Sequence, residues 1–152
     1  MDNAPVKLLL LLLGILTVLG CVRQTGGSEA APIGDLAGSY RILLNDEEPH
    51  KSFTVKNEYG EWWVADDAQA VHASRMTQAE IEEVFGKEVA DKSQCLVAYD
   101  GMATMIFCAT VPGMKTTVHV DHTIEQGEEF TSKTGYFSYI KYVGIWNLEK
   151  FK

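Results

Sequence analysis

The stretch Gln94-Cys95-Leu96-Val97-Ala98-Tyr99-Asp100-Gly101-Met102-Ala103-Thr104-Met105-Ile106-Phe107-Cys108-Ala109-Thr110 decides the fold. Two runs rich in β-branched and aromatic residues flank a short break at Asp100-Gly101, a pattern that reads as two antiparallel strands joined by a hairpin. If residues 100–103 form a four-residue loop, positions whose numbers sum to 203 face each other: Tyr99 with Thr104, Val97 with Ile106, and Cys95 with Cys108. The two sulfurs then stand on one face of neighbouring strands, within bonding reach at a non-hydrogen-bonded pair. A two-residue turn at Asp100-Gly101 would give a sum of 201 and misalign the cysteines by two.

Outward from this hairpin the same alternation recurs. Residues 37–44 (AGSYRILL), 52–56 (SFTVK), 61–65 (EWWVA) and 69–74 (QAVHAS) precede it as short strands. Residues 115–123 (KTTVHVDHT) and the aromatic run 136–151 (YFSYIKYVGIWNLEKF) follow it. Turn signals separate them: Asn45 to Pro49, Asn57 to Gly60, and Pro112-Gly113. One helix stands out. Thr77-Gln78-Ala79-Glu80 has the form of a capping box, Ile81, Val84 and Phe85 fall on one face, and Gly86 supplies a stop. The fold expected is mainly β: a small antiparallel β-sandwich or barrel of about eight strands with one short α-helix. Asp35-Leu36-Ala37-Gly38-Ser39-Tyr40-Arg41 resembles the first strand of lipocalin-like bacterial lipoproteins, in which a Gly-x-aromatic closes one barrel end.

The first residues read as an address. Lys7 precedes an apolar run from Leu8 to Leu19, whose twelve residues span about 18 Å as a helix, short of the roughly 30 Å hydrocarbon core. It reads as the h-region of a signal peptide. The run ends in Val18-Leu19-Gly20-Cys21, which resembles the lipobox of bacterial lipoproteins. That resemblance implies a signal peptide over 1–20, lipid on Cys21 as the first residue of the mature chain, and a membrane anchor. Two or more acyl chains hold a protein stably at a bilayer. Val22 rather than Asp after the cysteine implies export to the outer membrane, facing the periplasm. Residues 21–33 read as the lipidated, flexible tether, and residues 34–152 as a single β-rich domain. In that oxidising compartment the remaining pair, Cys95 and Cys108, is expected to form a structural disulfide.

A GxSxG elbow, a P-loop, GxGxxG, HExxH and an EF-hand loop are all absent from the sequence. His119 and His122 are three apart and point to opposite faces of a strand, so no metal site is expected there. No catalytic residue and no cofactor is assigned, and the chain is read as a non-enzyme. Its 152 residues carry 13 Lys+Arg against 21 Asp+Glu, a formal charge of −8, which argues against nucleic acid as partner. The segment 45–91, with twelve acids and four bases, holds that whole imbalance. Alternate connections of an up-and-down sheet emerge at one end, so Asp46, Glu47, Glu48, Asp66 and Asp67 are expected to share a rim. A second acidic tip is Glu125, Gln126, Glu128 and Glu129, where Gly127 permits a reversal. Trp62 and Trp63 are adjacent, so in a single-cored domain one faces outward, and Trp62 joins these acids as a candidate interface anchor.

Two functions fit this reading. One is a lipid-anchored periplasmic inhibitor or immunity protein that blocks a basic secreted hydrolase. In class it is similar to lysozyme inhibitors and to immunity proteins against type VI secretion effectors of the muramidase kind. The other is a non-inhibitory envelope lipoprotein, structural or a lipocalin-like carrier of an apolar ligand. A carrier requires an open apolar cavity, whereas a plug requires a filled core and protruding acidic loops.

Overall fold

A computed structural model describes residues 34–44, 51–119 and 127–152. The elements run β1 Gly38–Ile42, β2 Ser52–Glu58, β3 Glu61–Ala65, β4 Ala70–Arg75, α1 Gln78–Phe85, α2 Lys87–Lys92, β5 Gln94–Tyr99, β6 Thr104–Ala109, β7 Lys115–Val118, β8 Glu128–Thr131, β9 Tyr136–Ile140 and β10 Gly144–Lys150. Eight strands close into an antiparallel barrel in the order β1-β10-β9-β6-β5-β4-β3-β2, and β7 and β8 pair as a separate two-stranded sheet. Of the two architectures expected, the chain forms the barrel, which leaves no free sheet edge.

The decisive hairpin has the four-residue loop. Cys95 faces Cys108, Val97 faces Ile106 and Tyr99 faces Thr104. The cysteines are bonded, with Cα atoms 4.2 Å apart, as a non-hydrogen-bonded antiparallel pair requires. Asp100 holds the loop, its Oδ1 accepting from the amides of Met102 and Ala103 at 2.8 Å each.

Two hydrophobic cores flank one wall. Inside the barrel, alternate residues meet: Tyr40, Val55, Trp62, Val64, Leu96, Phe107 and Leu148 are all buried. The intervening residues of β5, β6, β9 and β10, including both cysteines, Ile106, Phe137, Tyr139 and Ile145, face outward and are buried too. Ile81 and Phe85 of α1, Val89 and Ala90 of α2, and Met114 and Val118 beside and on β7 cover them. The Phe85 ring meets Phe137 and Tyr139 edge-on at 5.4 and 5.6 Å between centroids. Such pairs add to the area they bury.

Three elements depart from the sequence reading. The run 136–151 is two strands, turned at residues 141–143 with Tyr142 at φ 63° and Val143 N donating to Ile140 O at 2.9 Å. A second helix follows the first, because Gly86 at φ 87° stops α1 and lets the chain restart at once. Strand β7 ends at Val118, short of the expected Thr123, and pairs with β8. The capping box of α1 is formed on both sides, Thr77 Oγ1 accepting from Glu80 N while Glu80 Oε2 accepts from Thr77 N at 2.6 Å.

One barrel end is shut by the motif beginning at Asp35. Tyr40 donates its hydroxyl to Leu36 O at 2.7 Å, and Lys150 Nζ donates to Asp35 O at 2.7 Å while standing over the Tyr40 and Tyr136 rings. Burial, first, and the neighbouring Tyr136 and Asp35 push the Tyr40 phenol well above its ordinary pKa. Gly38, at φ 151°, is needed there: a Cβ would fall 2.5 Å from Lys152 O.

Candidate functional site

The connections at residues 43–51, 66–69, 100–103 and 141–143 all leave the end opposite to Tyr40. Among the described residues, the barrel is open at this end. A cavity of about 210 Å³ enters it, walled by Phe53, Val64, Val71, Met105, Phe107 and Ile140. Ser138 lies deeper on β9, on the inward face beside Phe107. Its Oγ is buried and has no hydrogen-bond partner among the described residues. Lys51, Asp66, Gln69 and Asp100 stand at the mouth.

Two mouth carboxylates are fixed by backbone amides. Asp66 Oδ1 accepts from Ala68 N and Gln69 N, both at 2.9 Å, and Asp100 Oδ1 is held as described above. The amides of Gln69 and Ala68 lower the Asp66 pKa, with a small contribution from Lys51. The amides of Ala103 and Met102 lower that of Asp100. Both groups are therefore ionised at neutral pH. Thr77 lowers Glu80 in the same way, first through its backbone amide and then through its side chain.

A carboxylate whose folded pKa is depressed stabilises the fold above its unfolded value, and that stability is lost as the pH falls through the folded one. The urea midpoint is expected to hold steady from pH 7 to pH 5 and to drop below about pH 4, where free carboxylates take up protons. Asp100→Asn should flatten part of that fall when midpoints are measured across the pH series.

Among the described residues, six of the eight large hydrophobic side chains that are exposed stand on this end: Leu43, Leu44, Tyr99, Met102, Tyr142 and Val143. Met102 is 93% exposed. The sequence reading missed them, although Leu43, Leu44, Tyr99 and Met102 sit beside turn signals where an apolar residue has no local reason to be. Asp66, Asp67 and Asp100 stand in the same connections or in neighbouring ones. Counted in the sequence, the four connections carry six acids (Asp46, Glu47, Glu48, Asp66, Asp67, Asp100) against two lysines (Lys51, Lys141).

The anticipated site residues divide. Asp66 and Asp67 are on the open rim, and β1 and β2, which flank Asp46, Glu47 and Glu48, end at the same rim, while those three residues lie outside the described ones. Glu128 and Glu129 begin β8, in the hairpin over the outer wall and not on the rim connections. Glu125, Gln126, His122 and Cys21 lie outside the described residues. Trp62 corrects the expected exposed anchor. It is 8% exposed and faces the barrel interior, with the Arg75 guanidinium 5.0 Å from its ring centroid. Trp63 takes the outer face, edge-on to His72 at 5.2 Å. The charge of segment 45–91 is likewise divided, since Glu58 and Glu61 flank the turn at the shut end, and α1 and α2 also begin and end there. No protein-family model, curated protein or solved structure matches the chain.

Proposed function

We propose that the mature chain, lipid-anchored through Cys21 on the periplasmic side of the outer membrane, binds and blocks a basic cell-wall-degrading enzyme. The partner is a muramidase-like hydrolase such as a type VI secretion effector. The observation carrying this reading is the set of exposed apolar side chains that stands with Asp66, Asp67 and Asp100 at the barrel end left open among the described residues. Apolar anchors with a charged surround make up the energetic centre of protein interfaces, and opposite charges speed the encounter. A bilayer is a poorer match for this end, because anionic headgroups repel the acids that accompany its apolar residues.

The carrier reading draws support from the cavity. Its size speaks against a carrier of a large apolar ligand: about 210 Å³ lies below the roughly 300–1,000 Å³ of pockets for drug-sized molecules. An eight-stranded barrel of this kind is just wide enough for side chains to fill or to hold one small ligand.

Retention of a peptidoglycan hydrolase from envelope and secreted extracts tests the proposal. The wild-type protein should retain one at low salt and release it as salt rises. Reversing Glu47, Glu48 and Asp67 to lysine should reduce retention at least tenfold, and so should Met102→Ser. Reversing Glu128 and Glu129 should change it little. The reading fails if no such hydrolase is retained, or if the rim variants retain it as well as the wild type.

A further inference from the structure

Beneath the rim, the cavity itself has the features of a ligand site. Its walls are apolar and include two aromatic rings, Phe53 and Phe107. Ser138, only 4% exposed, lines this space from the inward face of β9, and its buried hydroxyl has no partner among the described residues. A buried hydroxyl left without a partner is costly, so its environment favours an occupant that supplies one. At the mouth, Asp66 and Asp100 each spend Oδ1 on backbone amides, which fixes the carboxylate while leaving Oδ2 uncommitted to those bonds. Lys51 lies on the Asp66 side of the mouth and offsets that charge, so Asp100 is the carboxylate better placed to meet a cation.

Depth links the two polar groups. On β9, Ser138 lies two residues below Ile140, whose partner Met105 faces Ala98 on β5, two residues from Asp100. Four residues of strand span about 13 Å, shortened by the tilt of barrel strands. An occupant must therefore have a cationic head at the rim, a flat or slender apolar body, and a hydroxyl or carbonyl at its far end.

We propose that the barrel mouth binds a small arylalkylammonium of this kind, its ammonium on Asp100, its ring between Phe53 and Phe107, and its polar tip on Ser138 Oγ. This site stands apart from the docking of a hydrolase on the rim, because a free small molecule can test it with no protein partner present.

Three probes separate the contributions: tyramine, phenethylamine, which lacks the hydroxyl, and 4-ethylphenol, which lacks the ammonium. Each is titrated calorimetrically into the mature lipoprotein in nanodiscs of zwitterionic lipid, with empty discs as blank. Tyramine is expected to bind with a dissociation constant of about 1 mM or tighter, within the efficiency range of small ligands. Phenethylamine should bind about tenfold more weakly, the value of one buried hydrogen bond. 4-Ethylphenol should be weaker by a similar factor. Ser138→Ala should abolish the preference for tyramine over phenethylamine, and Asp100→Asn that for tyramine over 4-ethylphenol. Equal binding of tyramine and phenethylamine to the wild type would mean that water alone answers Ser138. That result, or the absence of saturable binding by tyramine, overturns the proposal without any variant having to fold. A hydrolase captured by a protein that ignores tyramine would overturn this site and leave the rim proposal standing.

Discussion

Phe137→Ala is expected to cost about 3–5 kcal/mol, the range for deleting a fully buried aromatic side chain. Phe137 is 1% exposed and sits where three layers meet: Phe85 of α1 packs edge-on to it, and Phe130 of β8 lies tilted at 5.5 Å. Removing the ring leaves a void beneath the helix and beneath the hairpin at once. Neither can collapse onto the wall without losing contact with the other, so relaxation recovers little. Set against a total stability of about 5–15 kcal/mol, this loss brings the domain close to unfolding at growth temperature. Urea midpoints measured on the wild type, Phe137→Leu and Phe137→Ala should fall in that order, with Leu losing the least. Similar midpoints for all three would show that the outer core contributes far less than its burial indicates.

The second large effect belongs to the disulfide. Replacing Cys95 and Cys108 together by alanine is expected to cost roughly 3 kcal/mol, the loop-closure value for a short loop, here with a sequence separation of 13. For a domain of this size that lowers the melting temperature by about 10–15 °C. Both sulfurs are buried under α1 and α2, so reductant should reach them only through opening of that layer, and the native protein should resist mild reduction. Melting curves with and without reductant, and of the double variant, check both parts. A double variant that melts with the wild type would mean that the register alone already fixes this hairpin.

Much of the barrel was legible because local signals agreed. The cysteines, the four-residue loop and the alternation of Leu96, Phe107 and their neighbours all demand the same pairing. The capping box was equally readable, since its partners are three residues apart. What escaped was whatever depends on closure. Whether Trp62 or Trp63 faces inward is a question of phase, and only pairing with Asn57 and Ala73 on the adjacent strands answers it. The turn between β9 and β10 hid because Tyr142 adopts a positive φ that sequence normally signals with glycine or asparagine. The apolar rim was invisible for a third reason. Leu43, Met102 and Val143 are far apart along the chain, and only a closed sheet brings their connections to one end.

The covered wall makes the barrel unequal around its circumference. Strands β5, β6 and β9 are sandwiched between two cores, whereas β2, β3 and β4 have only the interior behind them and solvent in front. Local opening should therefore be confined to the thin side, which contributes Phe53, Val64 and Val71 to the cavity. The domain amounts to a stiff backplate with a compliant front, and an occupant larger than the cavity would have to enlarge it on the front side.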